Sequence, residues 1–226
     1  MPEKRLLKNI PAITADEQTL LGQKTVAIVG CGGLGGYLAE FMGRLGVGSL
    51  RLVDGDCFEE SNLNRQLYAE MPLLGQNKAA SAARRLQRIH PEIRVQAHDV
   101  FLTAENAAAL LAGCDVVLDG LDSVAGRRVL SGACDELGIP CVWGGVNGWT
   151  AQAALGLPGD GLVHRLYPEA APTPDETVLS FTPALCAAVQ SALCTRYLCG
   201  RAVESGMLYY FDLLQGDFET FFLKGD

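Results

Sequence analysis

An α/β fold, Rossmann-like, with a mostly parallel sheet flanked by helices and antiparallel strands added in the C-terminal third, is predicted by three observations. Apolar runs of strand length alternate with helical periodicity from residue 26 to residue 148. The first run, Val26-Ala27-Ile28-Val29, breaks into Gly30-Cys31-Gly32-Gly33-Leu34-Gly35-Gly36 and then becomes helix-like, the strand-to-helix turn of a nucleotide-binding unit. Beyond that core, Trp149 to Leu157 alternates with no helical period, as a strand returning antiparallel does.

Composition bounds the function before any motif is read. A chain of 226 residues supports one substantial domain with a full hydrophobic core, so 1–226 is read as a single domain. The formal net charge of −8, without a block of Lys and Arg, argues against nucleic acid and anionic lipid as partners. The N-terminus lacks a signal-type apolar region, and no run reaches membrane-spanning length free of Gly, Pro or charge, so a cytoplasmic protein is expected. Eight cysteines contain no C-x-x-C pair and sit among apolar neighbours, which reads as a reduced, mainly structural set.

The elements follow in order. Residues 1–25 form an arm and a short helix, the latter starting at Thr14-Ala15-Asp16-Glu17, with acidic residues in its first turn. After the glycine turn, Leu34, Leu38, Phe41 and Leu45 recur at helical spacing until Gly46 and Gly48. Ser49 to Val53 is the second strand, ending in Asp54-Gly55-Asp56. A helix opens near Lys78 and runs to Ile89; Ile93 to Ala97 is the third strand, Ala104 to Leu111 a helix, and Asp115 to Asp119 the fourth strand. Val124 to Leu137 is helical and Pro140 to Gly144 the fifth strand. Residues 158–183, rich in Pro, Gly and acid, are expected to be a long flexible loop. Leu185 to Cys199 reads as a buried helix, and 207–212 and 218–223 as closing strands.

Several side chains at the expected C-terminal ends of these strands suit a nucleotide. Gly30, Gly32 and Gly35 fit G-x-G-x-x-G, in which missing Cβ atoms let backbone N–H groups approach phosphates, although a plain strand-to-helix turn has the same spacing. Asp54 stands about 20 positions on, at the strand tip where a carboxylate accepts both hydroxyls of a ribose; Asp56 is a second, less certain candidate. Ser61-Asn62-Leu63-Asn64-Arg65-Gln66 places five polar side chains in six positions. Lys78 sits at a helix N-terminus, where the dipole disfavours a cation and a bound phosphate would supply a reason for it; a surface lysine is the competing reading. Asp119 and Asp122 end the fourth strand, at the edge where open α/β sheets bind ligands. Asp122 suits Mg²⁺ beside phosphate oxygens, unless Asp122 and Ser123 merely cap the next helix.

This combination resembles the ThiF/MoeB/HesA family, bacterial relatives of the ubiquitin-activating enzymes. The match comprises Gly30-Cys31-Gly32-Gly33-Leu34-Gly35, Asp54-Gly55-Asp56, Ser61-Asn62-Leu63-Asn64-Arg65-Gln66, Lys78, and Val117-Leu118-Asp119-Gly120-Leu121-Asp122 with Arg128 behind it. The resemblance implies a nucleotide-binding core over 26–148 that uses ATP and Mg²⁺, and a carrier-binding portion over 149–226. It implies adenylation of the C-terminal glycine carboxylate of a ubiquitin-like sulfur carrier protein ending in Gly-Gly, with release of pyrophosphate. By the same resemblance Gly30, Gly32, Gly33, Gly35, Asp54, Asp56, Asn62, Asn64 and Gln66 belong to the nucleotide site. Asn62, Arg65 and Lys78 would engage phosphates, and Asp122 would serve the metal. The family's arm carries an Arg-Tyr-x-Arg pattern whose second Arg reaches into the partner subunit of a homodimer. Here Arg5 keeps the first Arg and Lys8 takes the second place, so charge remains and bidentate geometry goes.

Two further departures shape the expectation. Where many members carry two C-x-x-C pairs for structural zinc, this chain has Val163-His164-Arg165-Leu166 and no cysteine beyond Leu223, so no zinc is expected. From Ala151 to Pro183 there is no cysteine for a covalent link to the carrier, and Cys186 lies in an apolar helix, so a free acyl-adenylate is the expected product. A tRNA-modifying dehydratase-like enzyme and a pseudoenzyme binding nucleotide or carrier are the alternatives. An NAD-dependent oxidoreductase accounts for the glycines and Asp54 but leaves Asn62, Arg65 and Lys78 without a role. Trp143, Trp149 and the closing aromatic strands are read as core by default.

Overall fold

A computed structural model describes residues 3–168 and 177–223. Eight strands form one sheet in the order β3-β2-β1-β4-β5-β6-β7-β8. They are β1 (Thr25–Val29), β2 (Ser49–Val53), β3 (Arg94–His98), β4 (Val116–Asp119), β5 (Cys141–Asn147), β6 (Thr150–Gly156), β7 (Met207–Asp212) and β8 (Asp217–Phe222). From β3 across to β5 all pairs are parallel; from β5 to β8 all are antiparallel. The predicted class is therefore the observed one.

Seven α-helices are described: α1 (Ala15–Leu21), α2 (Gly33–Leu45), α3 (Lys78–Ile89), α4 (Ala104–Leu111), α5 (Val124–Leu137), α6 (Leu162–Leu166) and α7 (Phe181–Leu198). Val26 and Ile28 of β1 join Leu38 of α2, Leu86 of α3 and Leu193 of α7 on one face of the sheet. Ala27 and Val29 join Leu111 of α4 and Leu130 of α5 on the other. Burial on both faces is why these strands read as unbroken apolar runs.

Thr14 closes a capping box with Glu17, so α1 begins at the expected signal. The arm before it is not extended: Lys4–Asn9 coil into a 3₁₀ helix that buries Leu6. Two expectations need correction in the C-terminal third. Residues 158–183 do not all form a loop, because α6 lies within them and α7 starts at Phe181 rather than Leu185. Pro183 falls in the first turn of α7, where its missing N–H costs nothing because that donor has no helical partner. Of the segment expected to be flexible, residues 169–176 lie outside the described residues. The default of core packing holds for Trp143 and fails for Trp149, Phe218, Phe221 and Phe222, all exposed. β8 is an edge strand with no layer over either face among the described residues, so its aromatic residues are exposed there. Among the described residues no helix is long and apolar enough to cross a membrane.

The β1 register sets the site. Val29 is level with both Val53 and Asp119, so the tips of β2 and β4 flank the turn that leaves β1. Strand order reverses at β1, with β2 to one side and β4 to the other, which is the crevice where open α/β sheets bind ligands.

Candidate active site

The glycine turn is shaped by close approach of backbone to backbone. Gly30 adopts φ +86°, and a Cβ on Gly35 would lie 1.7 Å from the Gly30 carbonyl oxygen, so α2 can begin this near β1 only with glycine there. A Cβ on Gly30 would meet the Gly120 carbonyl oxygen at 2.5 Å, which joins the turn to the β4 tip. Gly33 faces Pro183 of α7, with Arg65 beside it.

At the β2 tip, Asp54 accepts the Cys31 N–H on one oxygen at 2.6 Å and the Asp56 N–H on the other at 2.8 Å. Its carboxylate thus braces the glycine turn and keeps lone pairs for a further donor. Burial pushes its pKa above the usual carboxylate value, while the two N–H donors oppose that shift. Asp56 accepts from the Lys78 ammonium at 2.9 Å, and its carbonyl accepts the Lys78 N–H at the same distance.

Lys78 is the first residue of α3, with Asn77 as N-cap, and it is only 7% exposed. The expectation that this cation has no structural reason at the helix N-terminus is corrected, because Asp56 neutralises it within the chain. Asp56 itself is half exposed, so the ammonium is paired from the solvent side.

The polar string forms a 3₁₀ turn over Glu60–Asn62. Asn62 is buried with its Oδ1 accepting the Glu59 N–H at 3.0 Å. Asn64 donates to the Val178 carbonyl at 3.3 Å, tying the string to the segment before α7. The Arg65 guanidinium donates to the Ser61 carbonyl and to Asn64 Oδ1, at 2.9 and 2.8 Å. Gln66 packs against Gly32, and its buried Oε1 lacks a hydrogen-bond partner among the described residues. An orphaned acceptor beside a glycine turn is a feature that a ligand donor or water would satisfy.

At the β4 tip the two candidate roles of Asp122 separate. Ser123 alone caps α5, accepting the Gly126 N–H at 3.1 Å. Asp122 is exposed and makes no hydrogen bond or ion pair among the described residues. Arg128, expected behind it, donates instead to the Tyr167 carbonyl at 3.5 Å. Its neighbour Arg127 is the buried one, paired with Asp119 at 2.8 Å. Sequence reading passed over Arg127, Gln190 and Tyr167; the available signal was an Arg eight positions after a strand-tip Asp, one to two helical turns into the following helix.

The site thus gathers Gly30, Gly32, Gly33, Gly35, Asp54, Asp56, Asn62, Asn64, Arg65, Gln66 and Lys78 around the glycine turn, with Asp122 across it. Lys8 is not among them. It lies on the 3₁₀ helix that packs at Gly46, beyond the far end of the 13-residue α2. At 1.5 Å per residue that is about 20 Å from the glycine turn. A cavity of about 500 Å³ between α2 and α7 shares no residue with this set.

Comparison with known proteins supplies the deciding observation: the model of the ThiF family matches residues 4–225. The chain belongs to the ThiF family. Within that family it is 33% identical to the probable adenylyltransferase/sulfurtransferase MoeZ of Mycobacterium tuberculosis, over 96% of this chain and 58% of MoeZ. It is 32% identical to the sulfur carrier protein adenylyltransferase of Thermus thermophilus, over 92% and 82% of the two chains. The SAMP-activating enzyme E1 of Haloferax volcanii is 34% identical over 86% and 75%. This ThiF-family chain therefore spans little more than half the length of MoeZ. Among solved structures, Escherichia coli MccB with ATP superposes with a TM-score of 0.75 at 20% identity, covering 92% of this chain and 66% of MccB. The E. coli tRNA N6-threonylcarbamoyladenosine dehydratase TcdA, in complex with ATP, gives 0.75 at 24% identity, covering 87% and 94%. At these identities the likeness is one of fold.

Proposed function

We propose that this chain is an adenylyltransferase that uses ATP to activate the C-terminal glycine carboxylate of a ubiquitin-like sulfur carrier protein, releasing pyrophosphate. The observation that carries the reading is Lys78: a buried cation at a helix N-terminus beside the glycine turn, paired among the described residues only with the half-exposed Asp56. The relatives named as adenylyltransferases support it.

In this reading the N–H groups of the glycine turn at the start of α2 face the ATP phosphates. Asp54 offers its remaining lone pairs to the ribose. Lys78, Arg65 and Asn62 stabilise the charge that develops as the carrier carboxylate attacks the α-phosphorus and pyrophosphate leaves. A carboxylate is ionised at neutral pH, so no base is required. Exposed and unengaged among the described residues, Asp122 is a hard oxygen donor that fits Mg²⁺ together with phosphate oxygens. That ion would supply further charge stabilisation. Lys78 must leave Asp56 partly or wholly to meet a phosphate, and the exposed side of that pair makes the exchange inexpensive.

Lys8 lies too far from its own glycine turn to act there, so a role for it requires a second copy of the chain in a homodimer. Cys186 is an unsuitable nucleophile: its thiol is buried, donates to the Gln152 carbonyl at 3.2 Å, and is pushed up to about 12 by burial. The product is then the free acyl-adenylate.

ATP–pyrophosphate exchange, measured with and without a ubiquitin-fold protein ending in Gly-Gly, tests the reading. Exchange that appears only with the carrier is expected. Tight ATP binding with no exchange, for every carrier encoded beside this chain, would overturn it in favour of a nucleotide-binding pseudoenzyme.

A further inference from the structure

One buried ion pair has no role in the reaction outlined above. Asp119, the last residue of β4, is fully buried, and Arg127, on α5, is 6% exposed. Taking two charges out of water costs several kcal/mol per ion, and an ion pair recovers it only with further hydrogen bonds. Here those bonds converge on one peptide. Asp119 accepts the Leu121 N–H at 2.9 Å, and Arg127 donates to the Leu121 carbonyl at 2.5 Å. The residue before Asp122 is therefore held at both its donor and its acceptor.

The clamp is anchored on three sides. Arg127 Nη2 also donates to the Gly144 carbonyl of β5 at 2.9 Å. Gln190 of α7 donates to the carbonyls of Asp119 and Val142, at 2.9 and 3.0 Å. The Tyr167 ring stacks on the guanidinium, 4.8 Å from its centre. Against this, Asp122 makes no hydrogen bond or ion pair among the described residues, although it is one residue away. A carboxylate free at its head and fixed at its root is pre-aimed: it can receive a cation without first ordering the chain beneath it.

We infer that Arg127 is a positioning residue, which with Asp119 fixes the direction in which Asp122 presents its carboxylate to the metal–nucleotide complex. The inference rests on the reading of Asp122 as a metal ligand. It assigns Asp119 the task of anchor and removes it as a second ligand, since both its oxygens are engaged.

Arg127→Lys tests this, because one ammonium keeps the charge and cannot reach Asp119, Leu121 and Gly144 together. If that variant fails to fold, Asp119→Asn combined with Arg127→Gln removes both charges and leaves no buried ion unpaired. Two quantities are measured on the whole chain: hydrogen exchange of the Leu121 amide, and the gain in ATP affinity when Mg²⁺ is added. The expected result is a Leu121 amide that is protected in the parent and exchanges far faster in the variant while β1 amides hold. The Mg²⁺-dependent gain in ATP affinity should fall about 10-fold to 100-fold, with affinity in the absence of Mg²⁺ within about threefold of the parent. An unprotected Leu121 amide in the parent overturns the clamp. If Asp122→Ala abolishes the Mg²⁺ effect and Arg127→Lys leaves it intact, the inference alone fails. If Asp122→Ala leaves the effect unchanged, or the parent shows none, the metal role of Asp122 fails and the inference goes with it.

Discussion

The tips of β2 and β4 begin alike and end differently. In Asp54-Gly55-Asp56 and in Asp119-Gly120-Leu121, the first Asp accepts the N–H two residues on, at 2.8 and 2.9 Å. The second oxygen of Asp54 takes a backbone N–H, whereas that of Asp119 takes a guanidinium. The acidic residue that follows is also treated in opposite ways, for Asp56 holds Lys78 and Asp122 holds nothing among the described residues. Fixed dipoles suffice where a carboxylate remains partly in reach of solvent and ligand. Full burial demands a full counter-charge. The same local turn thus leaves a carboxylate with lone pairs to spare at one tip and makes a foundation at the other.

That contrast can be broken most severely at Arg127. Arg127→Met should lower stability by about 3–5 kcal/mol, the cost of leaving a buried carboxylate uncompensated, as read by urea denaturation. Asp54→Asn, which keeps an acceptor for one of the two N–H groups and turns an amide NH2 towards the other, should cost about 1–3 kcal/mol. Equal losses at the two sites would end the distinction between dipole and counter-ion.

Next in size is an effect on rate. Lys78→Ala should reduce carrier-dependent ATP–pyrophosphate exchange by about 10²–10³, the usual cost of removing one pre-placed donor from a charged transition state. Its thermal unfolding should change little, because Asp56 is then simply solvated. Retained exchange would return Lys78 to the status of a structural partner of Asp56. Asp56→Asn, a smaller perturbation, should shift stability by less than about 1 kcal/mol; ATP titration should show affinity equal to or above that of the parent, since Lys78 no longer has to be released. Weaker binding would make Asp56 a nucleotide ligand in its own right.

The smallest effect is on acid sensitivity. Burial raises the pKa of both Asp54 and Asp119, so neither tip loses stability through proton uptake as a carboxylate of depressed pKa would. His90 behaves differently. It is buried against Arg5, whose Nη2 lies 2.5 Å from its Nε2, and burial followed by that cation lowers its pKa below 6.5. Just below pH 6.5 the unfolded chain therefore binds more protons than the native one, and stability falls as pH falls through that value. His90→Gln should flatten this part of the stability profile. A profile unchanged by the substitution would show that His90 does not set the stability in this window. The Glu17 carboxyl, held down to about 2 by the Arg201 guanidinium, loses its contribution only at lower pH, as pH falls below its unfolded value of 4.5.

The parallel half of the fold was legible because both faces of its strands are buried. Runs such as Val26–Val29 and Val116–Leu118 then carry an unmixed apolar signal, and glycine or Asp punctuates their C-terminal ends. At the candidate site, the positions of Gly30, Gly35, Asp54, Lys78 and Asp122 at strand tips and helix termini were legible in the sequence, since each is tied to the end of an element. Pairings between elements were not legible. Nothing in the spacing of Asp56 and Lys78 announces an ion pair, and choosing between Arg127 and Arg128 needs the rotation of α5 relative to β4. Exposure at Trp149 and Phe218 escaped for a related reason: an aromatic residue looks the same in sequence whether or not a layer covers it. Pro183 misplaced the start of α7 because proline is a breaker inside a helix and harmless in its first turn.

One consequence of the bare β8 concerns solubility rather than catalysis. Its outer edge offers unpaired backbone groups beside Phe218, Phe221 and Phe222, the composition from which strands add to strands between molecules. Asp217 and Glu219 interrupt that stretch. When two copies approach edge to edge these carboxylates bring like charges together, so part of the net charge of −8 stands where it opposes strand addition.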